Sequence, residues 1–181
     1  MRAWILLFTL LIFAACVMQP SEPSPIAVAI LTPTSLDNQY KAERLQVKYD
    51  EAEEIAARIF RRHGCSDEYA ETVAHNAVDQ GLNVRIVSAL IVVESTCRPS
   101  IVSSEGAVGL MQVSPKTWHI SSVALKDPEF NIQTGTAILA SYTRQHGVVE
   151  GLHYYNGLGV GCTACDPNYE DRVLSVAGYR R

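Results

Sequence analysis

The stretch ALIVVESTCRPS, residues 89–100, ends the most apolar internal run of the chain in a carboxylate, Glu94, with Pro99 five residues on. Extended back to Val84, the segment VRIVSALIVVES has the length of a helix, and Asn83 stands ahead of it as a capping residue. On that helix Glu94 follows Ile91 by three residues, Leu90 by four and Val87 by seven, so it shares their apolar stripe. Burial disfavours an ionised carboxyl, and the negative end of the helix dipole disfavours it again. Both effects favour a carboxylic acid that keeps its proton near neutral pH, which is what protonation of a glycosidic leaving oxygen requires. A helix-end glutamate that reaches water is the alternative the local pattern leaves open.

The segments on either side are helical in texture. YKAERLQVKYDEAEEIAARIFRRHG, from residue 40, interleaves charged and apolar residues and closes on basic residues and Gly64. Ser66 is a candidate cap for DEYAETVAHNAVDQ, which Gly81 follows. Ser114-Pro115, Asp127-Pro128 and Asp166-Pro167 each set a capping side chain before a proline at the first helical position. Gly147 closes the segment that Pro128 opens. With no alternating strand pattern and no internal repeat, the expectation is a mostly α domain of six or seven helices over residues 39–181.

Residues 1–16, MRAWILLFTLLIFAAC, read as an export signal: one basic residue, an apolar run too short to span a bilayer, then small residues. The ending FAAC resembles a bacterial lipobox with Cys16 as the lipidated residue, which implies a periplasmic protein anchored at the outer membrane. Half of the eight prolines fall between Pro20 and Pro33, so residues 17–38 read as a flexible tether. Its apolar hexad, residues 26–31, has no assigned role. A net charge of −4 with no basic stripe excludes the electrostatic footprint of nucleic-acid binding.

SSEGAVGLMQVSP, residues 103–115, follows Glu94 closely. Its glycines let backbone approach a ligand, and Met111 and Gln112 offer an adaptable apolar surface and a two-way amide. Taken in order, ES at 94–95, GAVGLMQVSP at 106–115, DPEFNIQTG at 127–135, YYN at 154–156 and YEDRV at 169–173 resemble the soluble lytic transglycosylase family. The resemblance extends over residues 50–178. It implies a lysozyme-like α fold with a substrate cleft, and cleavage of the β-1,4 bond between MurNAc and GlcNAc in peptidoglycan glycan strands. It further implies Glu94 as acid/base supported by Ser95 and Tyr169. Sugar contacts from Gly109, Met111, Gln112, Tyr155 and Asn156, and a structural Asn131, follow from the same source. YYNGLG stands where the family usually has AYNAG, and Cys97 where it often has an aromatic or apolar residue. Both departures concern substrate subsites more than the reaction.

Ordinary glycosidases pair two carboxyl groups, about 5–5.5 Å apart for retention or roughly 6.5–9.5 Å for inversion. No second acidic residue sits in a family motif as a catalytic group: Glu105 lies in a loop, and Asp127 and Asp166 read as caps. The resemblance implies a substrate-assisted route to a 1,6-anhydro product. A hydrolytic lysozyme on the same fold and a non-enzymatic wall-binding lipoprotein are the alternatives, and a partner in a cell-envelope or secretion assembly is compatible with all three. The five histidines, at 63, 75, 119, 146 and 153, show no ligand spacing, so neither a metal nor another cofactor is expected. With Cys16 set aside, Cys65, Cys97, Cys162 and Cys165 suggest two disulfides in an exported chain. Of three connectivities, Cys65–Cys97 with Cys162–Cys165 is the one carried forward; a redox role for the CTAC pair is the alternative.

Overall fold

A computed structural model describes residues 33–157 and 165–179. The export signal, Cys16, most of the expected tether and Cys162 lie outside those residues, as does the loop that follows Gly157 in YYNGLG. Seven α-helices occur among the described residues: α1 Pro33–Arg62, α2 Ala70–Asp79, α3 Val84–Ser95, α4 Pro115–Trp118, α5 Pro128–His146, α6 Val148–Tyr155 and α7 Tyr169–Val176. A 3-10 turn, Ala124–Lys126, precedes α5. The only β pairing among them is isolated: Val108 bridges to Val102 and to Val113 inside the loop that follows α3.

α3 is the axle of the domain. Every residue from Ile86 to Ile91 is buried, so the helix is apolar nearly all round and packs against α1, α2 and α7 together. Leu90 and Ile91 have no appreciable exposure, and complete burial of such a side chain stabilises the fold by about 1.5–3 kcal/mol. α1 contributes Ala52, Ala56 and Phe60 to the same core, and α2 contributes Val73, Ala74 and Ala77. The alanines at these crossings let the helix axes approach closely. α5 and α6 form an antiparallel hairpin about Gly147, which ends α5 with φ at 81°. At their crossing Gly151 lies so close to Thr143 that a Cβ there would fall 2.8 Å from the Thr143 methyl.

The caps follow their chemistry in three places. The Asn83 side chain accepts from Arg85 N at the head of α3, Ser114 from Thr117 N on α4, and Asp127 from Phe130 N on α5. Two other expected caps are corrected. Ser66 Oγ accepts from Glu68 N in a local turn, and α2 starts only at Ala70 with no side-chain cap. Asp166 likewise accepts from Asn168 N, two residues on, and α7 begins beyond Pro167, at Tyr169. In both cases the short side chain closes a turn on its own backbone, the bond that competes with capping. The boundary of the expected tether also shifts, because residues 33–38 are helical. Proline, which breaks a helix interior, is well placed at its first position, and Pro33 starts α1. Residues 36–48 are exposed all round.

Candidate active site

Glu94 sits in the last turn of α3, the most firmly buried helix of the domain. The residue is half-buried, and its carboxyl is wrapped well enough that its pKa rises from 4.5 to about 7. Desolvation is the dominant cause. A hydrogen bond from Tyr169 and the positive charge of Arg172 oppose it without cancelling it. The Tyr169 hydroxyl, at the first residue of α7, donates to Glu94 Oε1. Burial first, then the adjacent carboxyl, pushes the Tyr169 phenol well above 10, so it stays a donor. With Oε1 accepting from tyrosine, Oε2 is left to carry the acidic proton.

The chain immediately after Glu94 is held in an uncommon backbone. Thr96 and Cys97 both lie in the left-handed region, with φ of 51° and 57°. Non-glycine residues pay roughly 1–2 kcal/mol each for that conformation. Cys97 is joined by a disulfide to Cys65, just beyond α1, across a sequence separation of 32. The bridge ties the end of the helix that bears Glu94 to the end of α1. Chain-entropy arithmetic for a loop of that length gives roughly 3.7 kcal/mol of stabilisation, enough to offset the local strain. Cys165 is also disulfide-bonded.

The loop 103–114 is shaped by Asn131, which is completely buried on α5. Its Oδ1 accepts from Met111 N at 2.8 Å, while its Nδ2 donates to Val108 O at 2.8 Å and to Leu125 O at 3.0 Å. Gly109, with φ at 81°, presses against that amide so closely that a Cβ would fall 2.4 Å from Nδ2. Gln112 takes φ of 47°, and its amide donates to Gly109 O at 2.8 Å, folding the loop back on itself. Tyr155 closes the arrangement from α6, its hydroxyl donating to Met111 O at 2.8 Å. Asn156 donates to Asp166 O at 2.9 Å, which joins the end of α6 to the segment leading into α7.

The other residues expected at the site have the following surroundings. Ser95 is buried and its hydroxyl donates to Ile91 O within its own helix. Met111 has no exposed surface and packs on Gly135 and Thr136 of α5. Gly109 is buried beneath the loop. Both give the loop its shape. Gln112, Tyr155 and Asn156 are half-buried and keep surface available, although their polar ends are engaged with the protein.

Two residues not singled out from the sequence belong to the site. Arg172, one turn after Tyr169 on α7, bonds Asp166 at 2.6 Å and bears electrostatically on Glu94. That salt link holds the Asp166 carboxyl below its ordinary range. Glu170 is buried, with Oε2 2.8 Å from His153 Nε2 where α6 and α7 meet. The i, i+3 spacing from Tyr169 could have drawn attention to Arg172; nothing in the sequence pairs residues 153 and 170. Among the described residues, no three His, Cys, Asp or Glu side chains stand together as a metal site would require.

The family described as "Transglycosylase SLT domain" matches residues 71–164, which contain Glu94, the 103–114 loop, Asn131 and Tyr155. The chain belongs to that family. The SLT domain is also similar to two proteins named endo-type membrane-bound lytic murein transglycosylase A. With that of Cronobacter sakazakii it shares 42% identity over 84 residues, 40% of each chain. With that of an Enterobacter species it shares 39% over 122 residues, 54% of this chain and 59% of the relative. The chain thus spans between two fifths and three fifths of these relatives' length. Among solved structures, an inactive mutant of lytic transglycosylase Slt from Pseudomonas aeruginosa aligns at 21% identity with a TM-score of 0.46, over 62% of this chain and 21% of that one.

Proposed function

We propose that this SLT domain cleaves the β-1,4 bond between MurNAc and GlcNAc in peptidoglycan without consuming water. The observation that carries the reading is Glu94: a desolvated carboxyl with a pKa of about 7, on a rigid helix, hydrogen-bonded by Tyr169, inside the residues that match the family. A group poised there is protonated often enough to donate and basic enough afterwards to take a proton back.

The steps balance on that one carboxyl. Glu94 gives its proton to the glycosidic oxygen as the bond from C1 to that oxygen breaks, and the released GlcNAc hydroxyl keeps the proton. The acetamido group of MurNAc stabilises the cationic sugar. Glu94, now a carboxylate, accepts the proton of the sugar's own 6-hydroxyl as O6 bonds to C1, giving the 1,6-anhydro end. An attacking group carried by the substrate needs no water-positioning acid. Tyr169 holds Oε1 through the cycle and Arg172 stabilises the carboxylate stage.

The setting is the cell envelope. An export signal with a lipid on Cys16 would place the domain beside the wall, in keeping with the membrane-bound name of the similar proteins. Among the described residues no helix is long and apolar enough to cross a membrane. The test is release of soluble fragments from purified sacculi by the full chain and by Glu94→Gln. The substitution keeps size and an acceptor for Tyr169 but cannot supply a proton. Loss of at least about 1,000-fold is expected for the sole acid/base. A variant retaining a tenth or more of the rate would remove Glu94 from that role.

A further inference from the structure

An aromatic strip adjoins the candidate site and is not used by the mechanism above. Tyr142 of α5 lies between Trp118 of α4, 6.1 Å away edge-on, and Tyr154 of α6, 5.7 Å away and stacked. His146 stacks on Tyr154 at 4.2 Å, at the strip's far end. We propose that Trp118, Tyr142 and Tyr154 form a sugar-stacking subsite that extends the cleft beyond Glu94 and receives pyranose rings of the glycan strand. The inference rests on the glycan reading of the same site.

Three observations support a ligand surface over simple packing. α4 is four residues long and buries none of them. It is nevertheless built with care: Ser114 caps it, Thr117 adds a second bond to the same hydroxyl, and His119 ends it at φ of 53°, strained for a non-glycine residue. Its one large apolar side chain, Trp118, keeps 37% of its surface exposed, so the helix displays an indole instead of contributing one to the core. Second, Tyr142 and Tyr154 are only partly covered, and their mutual stacking orders them before any ligand arrives. Rings already fixed cost little entropy on binding.

Third, the strip is continuous with the site. Tyr142 lies seven residues after Gly135, two turns along the same face of α5. Gly135 is where that face meets Met111 and the Tyr155 hydroxyl. Tyr155 in turn feels both the Glu94 carboxylate and the Tyr142 phenol, which puts all three in one neighbourhood. A pyranose suits such a strip: its C–H face meets the electron-rich face of an aromatic ring while its hydroxyls remain in water.

The test uses tryptophan emission. The chain has two tryptophans, Trp4 and Trp118, so Trp4→Phe leaves Trp118 as the sole reporter. In a full chain carrying Trp4→Phe and Glu94→Gln, titration with a β-1,4-linked N-acetylglucosamine hexamer should shift the emission saturably. Adding Trp118→Ala should weaken hexamer binding in calorimetry by about ten-fold, and in the active chain it should raise KM on sacculi more than it lowers kcat. Emission unmoved by a hexamer that calorimetry shows to be bound would overturn the proposal. So would a Trp118→Ala chain with a lowered thermal midpoint but unaltered affinity and KM, which is what packing alone predicts. If no hexamer binds, KM on sacculi decides in the same sense. A wild-type chain that neither binds hexamer nor releases sacculus fragments would defeat the glycan reading itself, an outcome distinct from failure of the strip.

Discussion

Replacing Glu94 by glutamine should stabilise the protein while disabling it, and only on the alkaline side. The carboxyl has a folded pKa of about 7 against 4.5 for the free group, so the native state holds its proton where the unfolded chain has lost it. The native state therefore binds more protons between those values, and stability falls as pH rises through that window. At about 1.36 kcal/mol per pKa unit, the loss accumulated above pH 7 amounts to roughly 3 kcal/mol. Glutamine is neutral throughout and still accepts from Tyr169, so the variant escapes that loss. Urea unfolding of both chains at several pH values between 4 and 8.5 gives the difference directly, and titrations common to both cancel. The variant's advantage should be smallest near pH 4 and grow by roughly 3 kcal/mol by pH 8.5. A difference that stays flat across the range would refute the desolvation of Glu94, because an ordinarily solvated glutamate gains or loses nothing between those limits.

Tyr169→Phe removes the hydrogen bond that lowers the Glu94 pKa, so the limb of the kcat/KM–pH profile assigned to Glu94 should move above its wild-type position near 7; a downward move would contradict the geometry. Asn131→Ala strands a buried N–H and two carbonyls, and should cost about 3–5 kcal/mol in chemical denaturation, with activity lost as the 103–114 loop relaxes. Reduction of the Cys65–Cys97 bridge through the double serine variant should lower stability by roughly 3–4 kcal/mol, again by urea unfolding.

What could be read in the sequence was mostly what is local. Asn83 before an apolar run gave the start of α3, and the 3.6-residue stripe placed Glu94 on its buried side. Asp127-Pro128 and Gly147 bracketed α5 because capping chemistry is settled within a few residues. Ser66 and Asp166 show the limit of the same logic. Each has a nearby backbone N–H to bond, and whether that bond caps a helix or closes a turn depends on what the helix packs against. Pro33 is another case, since one residue type both breaks helices and begins them.

The site was legible only in part. Tyr169 lies 75 residues from Glu94, and no periodicity joins them; the order of motifs did. Ser95, Gly109 and Met111 stand in those motifs and are buried, because a motif preserves the shape of a loop as readily as its contacts. Arg172 and the His153–Glu170 pair were not singled out, as their significance comes from the packing of α7 against α3 and α6.

The measurement that bears most directly on the account is the chemical nature of the new sugar end. Purified peptidoglycan is digested with the full chain, and the soluble muropeptides are weighed by mass spectrometry before and after borohydride treatment. Internal attack by the 6-hydroxyl leaves no hemiacetal, so the main products should be one water lighter than hydrolysis products and unchanged by the reductant. Products that gain two hydrogens on reduction would mean water was the nucleophile, and would contradict the single-carboxyl mechanism assigned to Glu94.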